Sequence, residues 1–302
     1  VTIPYAKPAL TFDQQLDLLA DRGLIIPNRV AALNALSKIS YYRFSAYCLP
    51  FKDYVDHFRT GTTWEQVIHL YEFDRKLRIL VMDAVERVEV AVRTEVTYAL
   101  AHSYGPFCYH DSSCFRPSFQ HVQWLDKLTE EIRKSRETFI RHFQDKYDGF
   151  PCLPIWMATE VMSFGSLSRL YEGMKNGDQQ KVSNLYAIPH QVLRTWLRTL
   201  SFVRNICAHH GRLWNREVAV APEMPKEKHG WTREEAPDRK RLFGVLVILR
   251  HLLLGQDHCI DWCDRVTALI EPIASEDRFR RSLGLPQNWK QHRRWGADGG
   301  QE

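Results

Sequence analysis

WEQVIHLYEFDRKLRILVMDAVERVEVAVRTEVTYAL, residues 64–100, is the stretch that decides the fold class. Its apolar side chains at Trp64, Val67, Tyr71, Leu77, Val81, Ala84, Val88, Ala91 and Val92 recur at helical spacing and share one side of a long α-helix. The other side alternates in sign through Asp74, Arg75, Lys76, Arg78, Asp83, Glu86, Arg87, Glu89, Arg93 and Glu95, the pattern of a solvated or ion-paired surface. Just ahead of it, Thr62-Thr63-Trp64-Glu65 has the capping-box pattern, so a helix start is expected there.

Helical periodicity continues in both directions and alternating strand-like runs are nearly absent, so the chain is expected to be all-α. Toward the N-terminus, two short helices are expected over 13–19 and 27–39, followed by an aromatic-rich segment from Tyr41 to Phe51 that ends around Pro50. Toward the C-terminus comes one amphipathic helix over about 119–147, carrying Lys127, Arg133, Lys134, Arg136, Arg141 and Lys146 among Asp126, Glu130, Glu131, Glu137 and Asp145. A helix over 155–174 with a kink or break at Gly165, a turn at Asn176-Gly177, and a helix with Pro189 in its first turn follow. A polar loop over 222–237 precedes a long helix, 239–270, interrupted at Gly255. The last segment is basic and aromatic (Arg278, Arg280, Arg281, Trp289, Lys290, Arg293, Arg294, Trp295) and ends in glycine-rich residues expected to be loose. The division this implies is an N-terminal helical extension over 1–63, a helical core over 64–270 and a tail over 271–302.

With 302 residues, 44% of them hydrophobic, the chain can fill a real core, which excludes a disordered protein. The net charge of +5 is compatible with a nucleic-acid partner where the cations cluster on one face. Seven irregularly spaced cysteines point to reduced thiols in a cytoplasmic protein. Cys259 and Cys263 with His258 could clip a metal, but no paired short-spaced cysteine motif and no second ligand group accompany them, so no metal is expected. The most apolar run, 243–254, is interrupted by Arg250 and His251, so no membrane partner is expected either.

The chemistry concentrates at Arg204-Asn205-Ile206-Cys207-Ala208-His209-His210-Gly211. At about 100° per residue, Leu193, Trp196, Leu197, Leu200, Val203 and Cys207 form the buried stripe of this helix, and Arg204 falls inside it. An arginine so placed needs an anion: Glu86, Glu89 or Glu160, or else a phosphate reaching a cleft. Arg194, Arg198, Ser201, Asn205 and His209 make an adjacent strip, readable as an RNA-facing surface or as ordinary solvent-exposed helix. Gly211 is expected to take the left-handed position that ends the helix, leaving His209 and His210 at the negative end of its dipole. A permanent cation beside a group able to move a proton near neutral pH can cut a phosphodiester, and RNA carries its own nucleophile in the 2′-hydroxyl.

Arg204-Asn205-(three residues)-His209 resembles the signature of HEPN ribonucleases. The longer run from Val203 to Arg216 resembles the Abi family of abortive-infection proteins, in its AbiD/AbiF-like branch. The resemblance extends over 39–47, 73–78, 85–93, 104–107, 153–156 and 163–168, and so covers most of the chain from about 10 to 270. It implies a HEPN-like helical bundle, phage defence or a toxin–antitoxin role, and RNA as substrate, with a small RNA as a possible antitoxin. It also implies that Arg204, Asn205 and His209 are catalytic, with His210 a rival for the proton transfer, and that two copies face each other as a homodimer. Arg194, Arg198, Arg212 and Arg216 are then expected to bind RNA, and neither metal nor cofactor is required. The alternative expectation is a protein that binds a small RNA as a ribonucleoprotein without cutting it.

Overall fold

The computed structural model describes residues 3–4, 6, 8–226, 229, 231, 237–254 and 259–296, with the side chains of 259 and 260 left aside. Thirteen α-helices and three isolated β-bridges are found among the described residues, so the fold is all-α. The chain divides into two compact units, 1–76 and 77–302.

The first unit holds α1 (Phe12–Asp21), α2 (Arg29–Ile39), α3 (Tyr41–Cys48) and the start of α4 (Trp64–Tyr104). Each start has a local cause. Thr11 and Gln14 form a capping box on α1, the Asn28 side chain accepts from the Ala31 N–H on α2, and Ser40, at φ 67°, closes α2 and caps α3. The aromatic segment after Ser40 is thus a helix, packing Phe44 on Trp64 with ring centroids 4.2 Å apart. Tyr47 donates to the buried Asp74 carboxylate at 2.6 Å. The capping box of α4 sits one residue later than the sequence pattern suggests: Thr63 pairs with Gln66, while the buried Thr62 hydroxyl donates to the Arg59 carbonyl.

The second unit contains the rest of α4, α5 (His121–Lys134), α6 (Thr138–Lys146), α7 (Ile155–Val161), α8 (Phe164–Gly173), α9 (Asn176–Asn184), α10 (His190–Ala208), α11 (Leu242–Leu253), α12 (Cys259–Ala274) and α13 (Asp277–Leu283). α11 is apolar on every side and buried along almost its whole length, so it is the centre of the core. Gly105, at φ 89°, ends the 41-residue α4, which is about 60 Å long.

Four boundaries differ from expectation, each for a local reason. The helix expected over 119–147 is two, because Ser135 turns extended (ψ 138°) and its hydroxyl accepts from the Glu137 N–H. The break expected at Gly165 falls at Met162-Ser163, where Ser163 caps α8 and leaves Gly165 inside its first turn. Asn176-Gly177 opens α9 rather than a turn, and Pro189 is the N-cap of α10, one residue before its first turn. The tail is folded onto the second unit: Trp289 and Trp295 are buried, Trp295 donates to Thr267, and the buried Arg250 guanidinium donates to the carbonyls of Arg294 and Gly296. Gly255, His258 and the final glycines lie outside the described residues.

Candidate active site

α10 is held by an apolar stripe in which Leu193, Trp196, Leu197, Leu200, Val203 and Cys207 are all buried. Its main neighbour is α8, approached where Gly165 faces Ser201: a Cβ at Gly165 would lie 3.5 Å from the Ser201 hydroxyl. That contact buries Ser201, so it drops out of the polar strip expected along α10.

The helix ends in a Schellman motif. The His210 N–H bonds the Cys207 carbonyl at 3.0 Å and the Gly211 N–H bonds the Ile206 carbonyl at 2.8 Å. The left-handed residue is His210 (φ 55°), not Gly211 as expected. Gly211 sits where space is tight instead, since a Cβ there would come within 3.2 Å of both the Ile206 side chain and its carbonyl. Arg78, on α4, donates to the Gly211 carbonyl at 3.4 Å and so ties this turn to the long helix.

Arg204, Asn205 and His209 are thereby placed at one end of α10, and none of them is sealed in. Asn205, His209 and His210 are exposed and Arg204 is half-buried, bonding the Asn205 side chain at 3.4 Å. Asn205 and His209, four apart, share a face, while Arg204 and His209 are about 140° apart around the axis. Arg212 and Arg216 follow in the adjoining loop, where Arg216 donates to the Arg212 carbonyl at 3.3 Å. Arg198 is exposed on the helix between the two ends. Arg194 lies toward the opposite end, close enough to Arg116 and His190 to disfavour their protonated forms, although burial is the larger cause at both.

Arg204 opens onto a groove of about 690 Å³ lined also by Glu89, Glu131, Lys134, Glu137 and Glu160. Among the described residues Arg204 has no ion pair within 4.0 Å, so it is neither plunged into the core nor locked to a carboxylate as its place in the stripe suggests. Glu89 comes nearest to the expected partner. Burial raises its pKa, against the opposing pull of Arg93 and then Arg204, and it is bound to Arg93 at 2.7 Å. Glu131, which reads in the sequence as one more surface charge, accepts from the hydroxyls of Ser163 and Ser166, both at 2.9 Å, and so puts an anion at the N-terminus of α8. The signal for it was the serine pair that begins the Ser163–Ser168 stretch.

Among the described residues no group of three or more His, Cys, Asp or Glu is arranged to hold a metal ion. The side chains of His258 and Cys259 lie outside those residues. No helix among the described residues is long and apolar enough to cross a membrane.

The geometry defines an all-helical protein that carries a guanidinium, an amide and two imidazoles at one open helix end. The chain belongs to the Abi-like protein family, which it matches over residues 34–215. That membership associates it with abortive infection, a phage-defence response. No curated protein and no solved structure gives a significant match.

Proposed function

We propose that the chain is a HEPN-type endoribonuclease of the AbiD/AbiF-like branch that acts as an abortive-infection or toxin–antitoxin effector, with Arg204, Asn205 and His209 as its catalytic groups. The observation that carries this reading is the open helix end: Asn205 and His209 face solvent, and Arg204 keeps its charge free of any ion pair within 4.0 Å among the described residues. In the reaction one imidazole takes the 2′-hydroxyl proton, the 2′-oxygen attacks phosphorus, and the P–O5′ bond breaks. The 5′-oxygen leaves with a proton from a second imidazole, giving a 2′,3′-cyclic phosphate and a 5′-hydroxyl. The guanidinium holds the charge that builds on the phosphoryl oxygens.

The angle of about 140° between Arg204 and His209 supports a composite site in which two copies present their helix ends to one strand. Arg198 and Arg216 are exposed and Arg212 is half-buried, so they offer cations to a phosphate backbone outside the groove that the glutamates line. The test is incubation of the purified protein with RNA in the presence of a chelator, with mass analysis of the fragment ends. Cyclic phosphate ends that disappear with Arg204→Ala and His209→Ala are expected. Equal cleavage by wild type and the double variant, or a stable uncleaved RNA as the only bound species, refutes it.

A further inference from the structure

A second opening shares Glu160 with the groove at Arg204. It has a volume of about 480 Å³ and lies between the C-terminal part of α4 and α7, lined by Arg93, Tyr98, His102, Trp156 and Glu160, with Thr94 and Thr97 in its wall. Its rings are presented to solvent: Tyr98 is 62% and Trp156 51% exposed, unusual for side chains of this size. Tyr98 and His102, one turn apart, already lie ring against ring at a centroid distance of 4.1 Å. The threonine hydroxyls are already engaged, Thr94 donating to the Val90 carbonyl of its own helix and Thr97 to Thr159. The polar groups left at the rim are the Glu160 carboxylate, 4.0 Å from the Arg93 guanidinium, and His102; the Nε of Arg93 is buried without a hydrogen-bond partner.

Flat exposed rings around a pocket of this size, with a single carboxylate at the edge, are the chemistry that receives an unstacked nucleobase. Stacking takes any base, and a carboxylate accepts from an exocyclic amino group. We propose that Tyr98, His102 and Trp156 form a nucleobase subsite for single-stranded RNA, in which Glu160 favours adenine, cytosine or guanine over uracil. This rests on the reading of the chain as an RNA-cutting protein and adds where the strand is gripped. The pocket adjoins the acidic groove at Glu160, and Arg93, paired with Glu89 and 4.0 Å from Glu160, offsets part of the negative charge between them.

The test uses the full chain and 2′-O-methyl oligonucleotides, which lack the attacking hydroxyl and stay intact. Binding of fluorescein-labelled oligoadenosine, oligouridine and an oligoadenosine with abasic residues is followed by anisotropy for wild type, for Tyr98→Ala with Trp156→Ala, and for Tyr98→Phe with Trp156→Phe. Wild type should bind oligoadenosine most tightly. The alanine pair should weaken that binding about 5- to 100-fold and erase the distinction from the abasic strand, while the phenylalanine pair keeps it. An alanine pair that binds oligoadenosine like wild type, or that keeps the same preference over the abasic strand, overturns the proposal. So does binding to none of the strands. A sedimentation experiment in which the alanine pair turns a dimer into monomers also overturns it, since the rings would then face a second copy. The nuclease reading fails separately: the base preference can hold while ordinary RNA is left uncut, and cutting can persist unchanged in the alanine pair.

Discussion

Replacing His210 by Gly and, separately, by Ala isolates the backbone at the end of α10 from the chemistry of the imidazole. Both variants lose the ring, so whatever contacts it makes cancel in the comparison. What remains is a residue at φ 55°. Holding an L-residue in the left-handed region costs roughly 1–2 kcal/mol. Glycine escapes that cost but gives back about 0.4–1 kcal/mol through its freer unfolded chain. The glycine variant should therefore be the more stable of the two by about 0.5–1 kcal/mol, a higher thermal midpoint by roughly 1–2 °C in a chain of this size. Urea unfolding followed by tryptophan fluorescence measures the difference, with matched slopes required for the comparison. If His209 is the imidazole that moves the proton, both variants still cut RNA. An alanine variant as stable as the glycine variant would refute the Schellman geometry assigned to His210. Loss of cleavage in both would transfer the catalytic role from His209 to His210.

Three further outcomes follow from the packing. Arg93→Met strands the mostly buried Glu89 carboxylate and should cost about 1–3 kcal/mol at pH 8 in urea unfolding. Because Glu89 has a pKa above its ordinary value, its proton-bound form is the one that suits the fold, so stability falls as pH rises through that pKa and the variant should lie closer to wild type near pH 5; equal penalties at both pH values would contradict this. Tyr104 donates to Asp178 at 2.6 Å, and that bond pushes its phenol up to about 12. Its contribution is present below pH 10 and lost as pH rises through about 12, so Tyr104→Phe should cost under about 1 kcal/mol at pH 8, after discounting for the phenol's exposure, and flatten the alkaline loss of stability. Gly244→Ala should destabilise by about 1–3 kcal/mol in the same assay, because a Cβ there would sit 2.7 Å from the Asp238 carbonyl oxygen; an unchanged midpoint would mean the start of α11 stands elsewhere.

The fold class was legible because apolar spacing is a property of single helices, and α4 and α10 carry it without ambiguity. Breaks were less so. Ser135 and Ser163 interrupt helices through hydroxyl groups that find a backbone N–H, whereas Gly165, the more obvious breaker, stays helical in the first turn that Ser163 caps. The same limit applies at the candidate site. Helical arithmetic placed the buried stripe of α10 correctly, yet put Arg204 inside it, because the 20° between origin and side chain does not show that α10 borders a groove there. Glycine at 211 suggested the left-handed residue on propensity alone. The hydrogen bonds instead put the left-handed residue one position earlier, and what favours glycine at 211 is the closeness of Ile206, a crowding invisible until the turn is built.

The guanidinium of Arg250 sits within the apolar helix at the heart of the second unit, and two of the oxygens that receive its hydrogen bonds belong to Arg294 and Gly296. A chain cut before Arg294 lacks both acceptors and the Trp295 ring, which packs against Phe243 of α11 at a centroid distance of 6.0 Å, so the buried guanidinium would lose these partners. Removal of residues 294–296 is therefore expected to loosen the helix on which α10, and with it the end that bears His209, is packed.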